Sequence, residues 1–476
     1  MPLSKHKHIA VIGVVALAAF VYFALCYQYH FYYKEQNQVF LLTADFFGSY
    51  TSTPAWLANY IGDLFTTFFY YKFLGPFIVS MCIFLLGIYI YKALSFIRLR
   101  HIKTIACIVA VIVMLLEFAF HLDINYQLAA TIGKIMLVVT IWQSIFMYKR
   151  CRWCAVQPII IFTLVTIPYG KYYKADIKQY IGAIHAPETI LESDFAVDNE
   201  YYFGNYRRVL DIVQHAPAER ITKEMLFFYY LSAAQVGELP EHLLDFSNPY
   251  LGTFENIGPQ TPHILINNMN ELYWLVGDMT YAERAAMMNH VFSPQNRNVR
   301  MVKRMAEINL VTADTAAAMK YLRVLERTPI YRNWAQRHMP HNQSEAIKRQ
   351  IVTKQSLTNA TDTMQYGDNA YVILTQLLNS NPANDAALNY LLCSDLLLKQ
   401  MDTFWRDYNK YYGTRQHRKL YDEALCIYLA GTNATQEQWQ QAGISADVIA
   451  RFDAYSQQRG NSSYSDTYWY YFDTHK

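Results

Sequence analysis

The sequence predicts an all-α protein in two parts, an N-terminal transmembrane helix bundle of about five spans and a C-terminal irregular α-superhelix. Nearly all long uncharged apolar runs lie before about Tyr173, and charged residues become frequent after it. No region is rich in β-strand signals. We therefore expect a transmembrane domain over residues 1–173, a linker over 174–199 and a helical domain over 200–476.

The composition fits a chain divided between lipid and water. Apolar residues make up 53% of the chain and charged residues 17%, yet the mean hydropathy is near zero. The formal net charge of +3 is too small to indicate nucleic-acid binding, and the basic residues of the first third lie between apolar runs. The lipid bilayer is therefore a predicted partner, and nucleic acid is not.

Five apolar segments are long enough to be membrane spans. A helix needs about 20 residues to cross the roughly 30 Å of hydrocarbon in a bilayer. The predicted spans are Ile9–Tyr29, Leu74–Phe96, Thr104–Phe120, Gln127–Tyr148 and Ala155–Tyr172. The fifth is the weakest because Pro158 and Pro168 interrupt it, although proline near a helix end costs little.

The positions of Lys and Arg predict the orientation, because cytoplasmic loops are enriched in these residues. The basic residues of three segments fall on one side of a five-span bundle: Lys5, Lys7, Arg98, Arg100, Lys103, Lys149, Arg150 and Arg152. This pattern places the N-terminus in the cytoplasm and everything after about Tyr173 outside it. If the fifth segment did not span, the large domain would instead be cytoplasmic.

The loop between the first two spans, residues 31–73, mixes apolar and polar residues at helical spacing. Its aromatic residues, Trp56 and Tyr60 among them, are of the kind found where a bilayer meets water. We expect interfacial helices here, lying on the outer membrane surface.

Paired amphipathic helices are predicted from about Glu200. In the tetratricopeptide pattern a small residue, an aromatic residue four positions later and a proline eight beyond that mark the second helix of a unit. Ala317, Tyr321 and Pro329 resemble this spacing. The small residue permits close helix approach, the aromatic residue fills the groove to the next pair, and the proline ends the unit.

The stretch NPANDAALNYLL indicates where the next unit begins. Pro382 is placed like a closing proline, and the residues expected to pack in the following helix pair are Leu388, Leu391, Leu392, Phe404 and Tyr408. Phe404 stands where the pattern prefers alanine, so we predict an irregular tetratricopeptide-like superhelix. Its helices would form either a groove that binds a peptide or protein, or a compact lid on the membrane domain.

Two ionisable residues lie within predicted spans, Glu117 near the outer end of the third and Lys134 about two turns into the fourth. The two spans are antiparallel neighbours, so both side chains reach the outer half of the bilayer, where an isolated charge costs roughly 2.5–3.5 kcal/mol. A Glu117–Lys134 pair would lower that cost. Such a pair fits either a polar site on a proton path or a clamp between two helices.

Four acidic residues are expected to face outward near the membrane: Glu35, Asp45, Asp63 and Asp123. Polytopic glycosyltransferases that use polyprenyl-phosphate sugars place a catalytic carboxylate in the first outer loop, where it acts as a general base. A membrane glycosyltransferase, or a reduced and inactive relative of one, is therefore the enzyme alternative. The same residues also fit solvated positions in an interfacial loop, and no further motif supports catalysis.

No cofactor or metal ion is predicted. The 14 histidines show no HExxH or comparable spacing, and Cys151 and Cys154 form a CxxC pair without a second pair of ligands. Cys393 and Cys426 are the cysteines of the outer domain, and they are either disulfide-bonded or separate buried thiols.

Several stretches together resemble a known family. They are EQNQVFLLTADFF, YIGDLFTTFFYYKFLGPFI and EINLVTADTAAAMKYLRVLERTPIYRNWA, followed by an aromatic C-terminus. They resemble an uncharacterised family of multi-spanning Bacteroidales proteins, of which this chain looks like a short version. The resemblance implies residence in the bacterial inner membrane and a C-terminal helical-repeat domain, and it implies no activity.

These observations lead to one predicted function. The chain is expected to be a membrane-anchored helical-repeat scaffold that binds a protein or peptide partner in the cell envelope. The spans would hold the binding surface in the plane of the membrane, which raises its effective concentration for partners located there.

Overall fold

The computed structural model describes residues 3–97, 100–149, 153–167, 192–252, 263–293, 297–359, 369–413 and 415–475. All regular elements in these ranges are helices, which confirms the predicted all-α class. The chain divides into two compact units. The first comprises Met1–Phe195, Ser293–Lys303 and Met319–Asn342, and the second comprises Ala196–Phe292, Arg304–Ala318 and Gln343–Lys476.

The first unit therefore takes in two segments that the predicted division at residues 173 and 200 assigns to the outer domain. Most of the predicted linker, residues 174–191, lies outside the described ranges. The helices of residues 3–167 are α1 (Leu3–Cys26), α2 (Tyr29–Gln36), α3 (Ala44–Thr51), α4 (Trp56–Thr67), α5 (Leu74–Leu94), α6 (Ile102–His121), α7 (Leu128–Tyr148) and α8 (Val156–Thr166).

Four described helices are long and apolar enough to cross a membrane: Lys7–Cys26 of α1, together with α5, α6 and α7. Five spans are predicted from the sequence. The fifth, Ala155–Tyr172, contains the 11-residue helix α8, and its residues 168–172 lie outside the described ranges. α8 ends where it does because Ile167 precedes Pro168 and takes an extended backbone, as residues before proline prefer.

α5 is the central helix of the bundle. It packs against α1, α6 and α7, and its buried side chains include Val79, Ile83 and Leu86. Gly87 permits the close approach of α6, since a Cβ at this position would lie 2.3 Å from the Met114 sulfur. One end of the bundle carries residues 27–73 and the α6–α7 turn, residues 122–127, and is called the loop end below.

The predicted interfacial loop, residues 31–73, forms the end of α2, then α3, α4 and a short 3₁₀ turn. Part of it is enclosed by protein, because Phe31 and Tyr33 of α2 are buried. The segments that return to this unit contact the loop directly. The Leu42 N–H donates to the Arg327 carbonyl at 2.8 Å, and the Tyr70 ring packs edge-on against Tyr331.

The second unit consists of many short helices around one apolar core. They are Lys223–Gln235, Leu239–His242, His263–Val276, Met279–Phe292, Glu345–Gln355, Ala370–Ser380, Asp385–Leu397, Met401–Asp407, Lys419–Gly431, Gln436–Gln441, Ala446–Gln457 and Tyr468–Thr474, with Tyr206–Gln214 near the start. Consecutive helices often pack as pairs, such as Ala370–Ser380 with Asp385–Leu397.

The helix Lys223–Gln235 shows that this packing is not purely between neighbours. All of its residues from Met225 to Ala234 are buried, as expected of a helix that is apolar on every face. It contacts Asp385–Leu397, which is far away in sequence. In a helical solenoid each repeat contacts only the adjacent repeats, so this part of the unit is closed, and the tetratricopeptide-like superhelix stays a prediction.

The residues predicted to pack between repeats differ in burial. Leu388, Leu391, Leu392, Phe404 and Tyr408 are buried, whereas Pro382 is exposed. Ala317, Tyr321 and Pro329 are half-buried. The helix Thr315–Glu326 carries Ala317 and Tyr321, but its core face is formed by Ala318, Leu322 and Leu325, so the buried residues lie one position later than the pattern indicates.

Candidate functional site

The two ionisable residues of the predicted spans meet in the structure. Lys134 Nζ on α7 lies 2.6 Å from Glu117 Oε2 on α6, and the Glu117 side chain is almost completely buried. α6 and α7 are consecutive helices joined by a short turn, so residues near that turn face each other across the pair. The sequence pattern therefore brings opposite charges together at the loop end.

The other carboxylate oxygen of Glu117 is also occupied. The Tyr126 hydroxyl donates to Oε1 at 2.5 Å, and the Thr131 hydroxyl donates to it at 2.6 Å. His121 lies one helical turn after Glu117, and its Nε2 is 2.8 Å from the Thr131 hydroxyl. Lys134 also donates to the Tyr126 hydroxyl at 2.8 Å. These five residues are called the α6–α7 cluster.

α2 is attached to the turn beside this cluster by a second cation. Lys34 Nζ donates to the carbonyls of Asp123 and Tyr126, at 3.1 and 2.9 Å. Burial lowers the pKa of Lys34 to about 7, and only the nearby Asp123 carboxylate opposes this shift. The Tyr27 hydroxyl donates to the Leu122 carbonyl at 2.5 Å. The first loop is thus fastened to the α6–α7 turn.

Glu35, one of the predicted outward carboxylates, is buried. The Tyr331 hydroxyl donates to its Oε2 at 3.1 Å. Burial raises the pKa of Glu35 to about 8, and the bond from Tyr331 only partly opposes the shift. A buried carboxyl group that carries a proton is a poor general base at neutral pH.

The other three outward carboxylates lie in separate surroundings. The Tyr50 hydroxyl donates to Asp63 Oδ2 at 2.5 Å, and Arg297 donates to the same hydroxyl at 3.2 Å. Asp123 accepts the Asn125 N–H at 2.9 Å within the α6–α7 turn. Asp45 is exposed in the first turn of α3. The structure therefore shows no shared contact among the four carboxylates that would mark a common catalytic centre within the described residues.

Amide side chains link α2 to a segment that returns to the first unit. Arg300 donates to Gln36 Oε1 at 3.1 Å, and Asn298 donates to Asn37 Oδ1 at 3.0 Å. All four side chains are buried. Sequence reasoning missed these residues, because no spacing rule connects positions so far apart along the chain.

The remaining chemical groups do not form a metal site in the described part of the chain, where no cluster of three or more His, Cys, Asp or Glu residues could hold an ion. Cys393 and Cys426 are buried free thiols, and the Cys393 sulfur lies 3.8 Å from the Tyr421 hydroxyl. Cys154 is half-buried, and Cys151 lies outside the described residues.

The α6–α7 cluster is suited to neutralising charge at the end of a hydrophobic bundle. Both oxygens of Glu117 accept hydrogen bonds, one of them from a cation, so the buried carboxylate group has a partner for each oxygen. The Lys134 ammonium also lies over the rings of Phe120 and Tyr126, at 4.9 and 5.3 Å from their centroids. The ion pair therefore links α6 to α7.

Comparison with protein families gives one match. A family model described as a family of unknown function (DUF6057) matches residues 5–175 and 170–475, which is nearly the whole chain. Comparison with curated proteins and with solved structures gave no match.

Proposed function

Since the chain belongs to the DUF6057 family, whose function is unknown, we propose from its own residues that it is a membrane-anchored helical scaffold whose second unit binds a protein or peptide partner in the cell envelope. The first unit is the anchor in this proposal. Four membrane-length helices and the polar contacts at the loop end support that role.

The observation that carries the proposal is a group of exposed apolar side chains in the second unit. Met287, Val291 and Phe292 lie on one helix, Met279–Phe292, and are 50%, 58% and 59% exposed. Positions 287 and 291 are one turn apart and share a helix face. The unit otherwise buries a large apolar core. Contiguous exposed apolar patches mark interaction surfaces in soluble proteins, and these three side chains support such a surface here.

We also propose which side of the membrane the loop end faces. Arg300 and Tyr331 contact α2, so these parts of the returning segments lie at the loop end whatever path residues 168–191 take. The described basic residues Lys7, Lys103 and Lys149 lie near the opposite helix ends. By the enrichment of cytoplasmic loops in Lys and Arg, the loop end faces away from the cytoplasm.

This orientation makes the protein a multi-pass protein of the bacterial inner membrane with a periplasmic second unit. A partner in the same compartment would meet a surface that the anchor keeps close to the membrane. Restricting both proteins to this layer raises their effective concentration without adding any contact.

Photocrosslinking in living cells tests the partner. A photoreactive amino acid is placed at Met287 or Val291 of the full-length chain, and at Leu17 of α1 as a matched control, since Leu17 is 61% exposed on a predicted span. We expect both positions in the second unit to capture the same envelope protein and Leu17 not to capture it.

A reciprocal experiment, with the photoreactive group in the identified partner, should return this chain. Replacing Met287 and Val291 by Glu should abolish the adduct without lowering the protein level, because both residues are exposed. If the two positions capture only lipid or lipid-linked sugar, or capture nothing, the scaffold proposal fails.

A further inference from the structure

α8 is too short to cross a membrane alone. Its 11 residues span about 16 Å, and the preceding 3₁₀ turn, Trp153–Ala155, adds about 6 Å. The hydrocarbon layer is about 30 Å thick. Starting beside the end of α7, α8 therefore stops inside the bilayer.

α4 occupies the remaining depth from the loop end. An added Cβ at Gly62 would lie 2.6 Å from Ala129 Cα, and one at Gly133 would lie 3.8 Å from Ala58 Cβ. Ala129 of α7 therefore faces Gly62 of α4, and Gly133, further along α7, faces Ala58, which is earlier in α4. The two helices are antiparallel, and the N-terminus of α4 is its deepest point.

The two short helices meet end to end. The Ala55 N–H, at the start of α4, donates to the Thr166 carbonyl at the end of α8, at 2.8 Å. The Trp56 indole N–H donates to the Leu164 carbonyl at 3.2 Å. Carbonyls at the end of a helix lack partners within it, and here α4 supplies donors to two carbonyls of α8.

The depth of this junction follows from two independent measures. Ala58 is level with Gly133, which lies about 8 Å along α7 from the start of that helix. Ala55 is about 4 Å deeper, so the junction lies about 12 Å from the start of α7. From the opposite end of α7, α8 with its 3₁₀ turn covers about 22 Å. Because α7 is roughly 31 Å long, this measure places the junction about 9 Å from the start of α7. Both measures place the junction well inside the hydrocarbon layer.

The chain just before the junction is polar and irregular. Ser52 and Thr53 are exposed in the turn between α3 and α4. Ala55 has a left-handed backbone with φ of 52°, and it provides no side-chain cap for the first N–H groups of α4. Irregular backbone at this depth is tolerated only where protein buries it or where it lines a water-filled cavity.

We infer that α8 and α4 together form one discontinuous membrane crossing, and that water from the loop end reaches its break at residues 51–55. The Thr51 and Thr53 hydroxyls donate to the carbonyls of Gly48 and Tyr50, and water supplies partners for the exposed Ser52 side chain that lipid could not supply. The inference needs no binding partner, so it stands or fails separately from the proposed scaffold function.

Cysteine labelling in intact membranes tests this inference. Ser52→Cys is introduced into the full-length chain after its seven cysteines are replaced by Ala or Ser, and thermal unfolding verifies that the variant is folded. The matched control is Leu137→Cys on α7, an exposed position at nearly the same depth. Maleimides react with the thiolate, which forms in water and not in lipid.

We expect a membrane-impermeant maleimide added on the loop side to label Ser52→Cys at least tenfold faster than Leu137→Cys. Equal and slow labelling of the two would overturn the water-filled break. A disulfide between two chains at Ser52→Cys would also overturn it, because a second copy would then cover the turn. In the double variant Ala55→Cys/Thr166→Cys, failure of a short bis-maleimide to join the two positions would overturn the discontinuous crossing.

Discussion

Polar groups inside the membrane unit are satisfied in two different ways. In the α6–α7 cluster, side chains provide the partners: Glu117 forms an ion pair with Lys134 and accepts hydrogen bonds from two hydroxyl groups. At the junction of α4 and α8, backbone and indole N–H groups donate to backbone carbonyls, and no charged group takes part in those bonds. The stability of the α6–α7 cluster should therefore depend on both charges being present. The stability of the α4–α8 junction should depend on how closely the helices pack.

The largest effect is expected for Lys134→Met. It leaves the Glu117 carboxylate buried without its cation, which typically costs about 3–5 kcal/mol. We expect a strong loss of protein level and of thermal stability in lipid nanodiscs. The double variant Glu117→Gln/Lys134→Met should recover much of this loss, since no buried charge remains. An unchanged protein level with a lost cellular phenotype would instead make the pair a functional site.

The second-largest expected effect is a pH dependence of protein stability that comes from Glu35. Because burial raises its pKa from 4.5 to about 8, the folded protein holds a proton that the unfolded chain releases between these values. Stability from this group is therefore present below about pH 4.5 and is lost as the pH rises to about 8, by up to about 1.4 kcal/mol per pH unit.

Glu35→Gln should remove this part of the pH dependence, measured as the melting temperature in nanodiscs between pH 5 and 8. Asp45→Asn is the matched control, because Asp45 is exposed on the same loop. If Glu35→Gln and the wild type show parallel pH profiles, Glu35 is ionised in the folded protein.

A smaller effect is expected where α4 meets α7. Gly62→Ala places a methyl group against the backbone of Ala129 and should cost about 1–3 kcal/mol. Gly133→Ala on the facing helix meets Ala58 at an ordinary contact distance of 3.8 Å and should be neutral or slightly stabilising. Equal melting temperatures of the two variants would contradict the close packing of α4 on α7.

The smallest effect is expected for Trp56→Phe, which removes the indole donor to the Leu164 carbonyl and keeps an aromatic ring. A single such hydrogen bond contributes about 0.5–1.5 kcal/mol. Trp153→Phe serves as the control, since Trp153 is exposed. A loss of stability in the control as large as in Trp56→Phe would show that the hydrogen bond is not the cause.

Features that depend on the local periodicity of apolar residues could be predicted from the sequence. The four long apolar helices are readable from composition alone, and the meeting of Glu117 with Lys134 follows from two consecutive spans joined by a short turn. The burial of Leu388, Leu391 and Leu392 likewise follows from a repeating apolar pattern.

Features that depend on distant segments could not be predicted in this way. Glu35 looks like a solvated carboxylate until Tyr331 is known to cover it, and Arg300 carries no signal that it contacts Gln36. The short α8 helix could be suspected from Pro168, but its meeting with Ala55 is a tertiary contact. The shift of the buried face to Ala318 and Leu322 arises because neighbouring helices, and not the repeat pattern, decide which side is covered.

The contacts of α2 with the returning segments also bear on synthesis of the chain. Asn37 and its partner Asn298 are separated by 261 positions, and Glu35 and Tyr331 by 296. At about 5–20 residues per second, Asn298 leaves the ribosome on the order of 10–50 s after Asn37. The anchor is thus finished only late in translation, and chains that stop before residue 298 should be the preferred targets of membrane proteases.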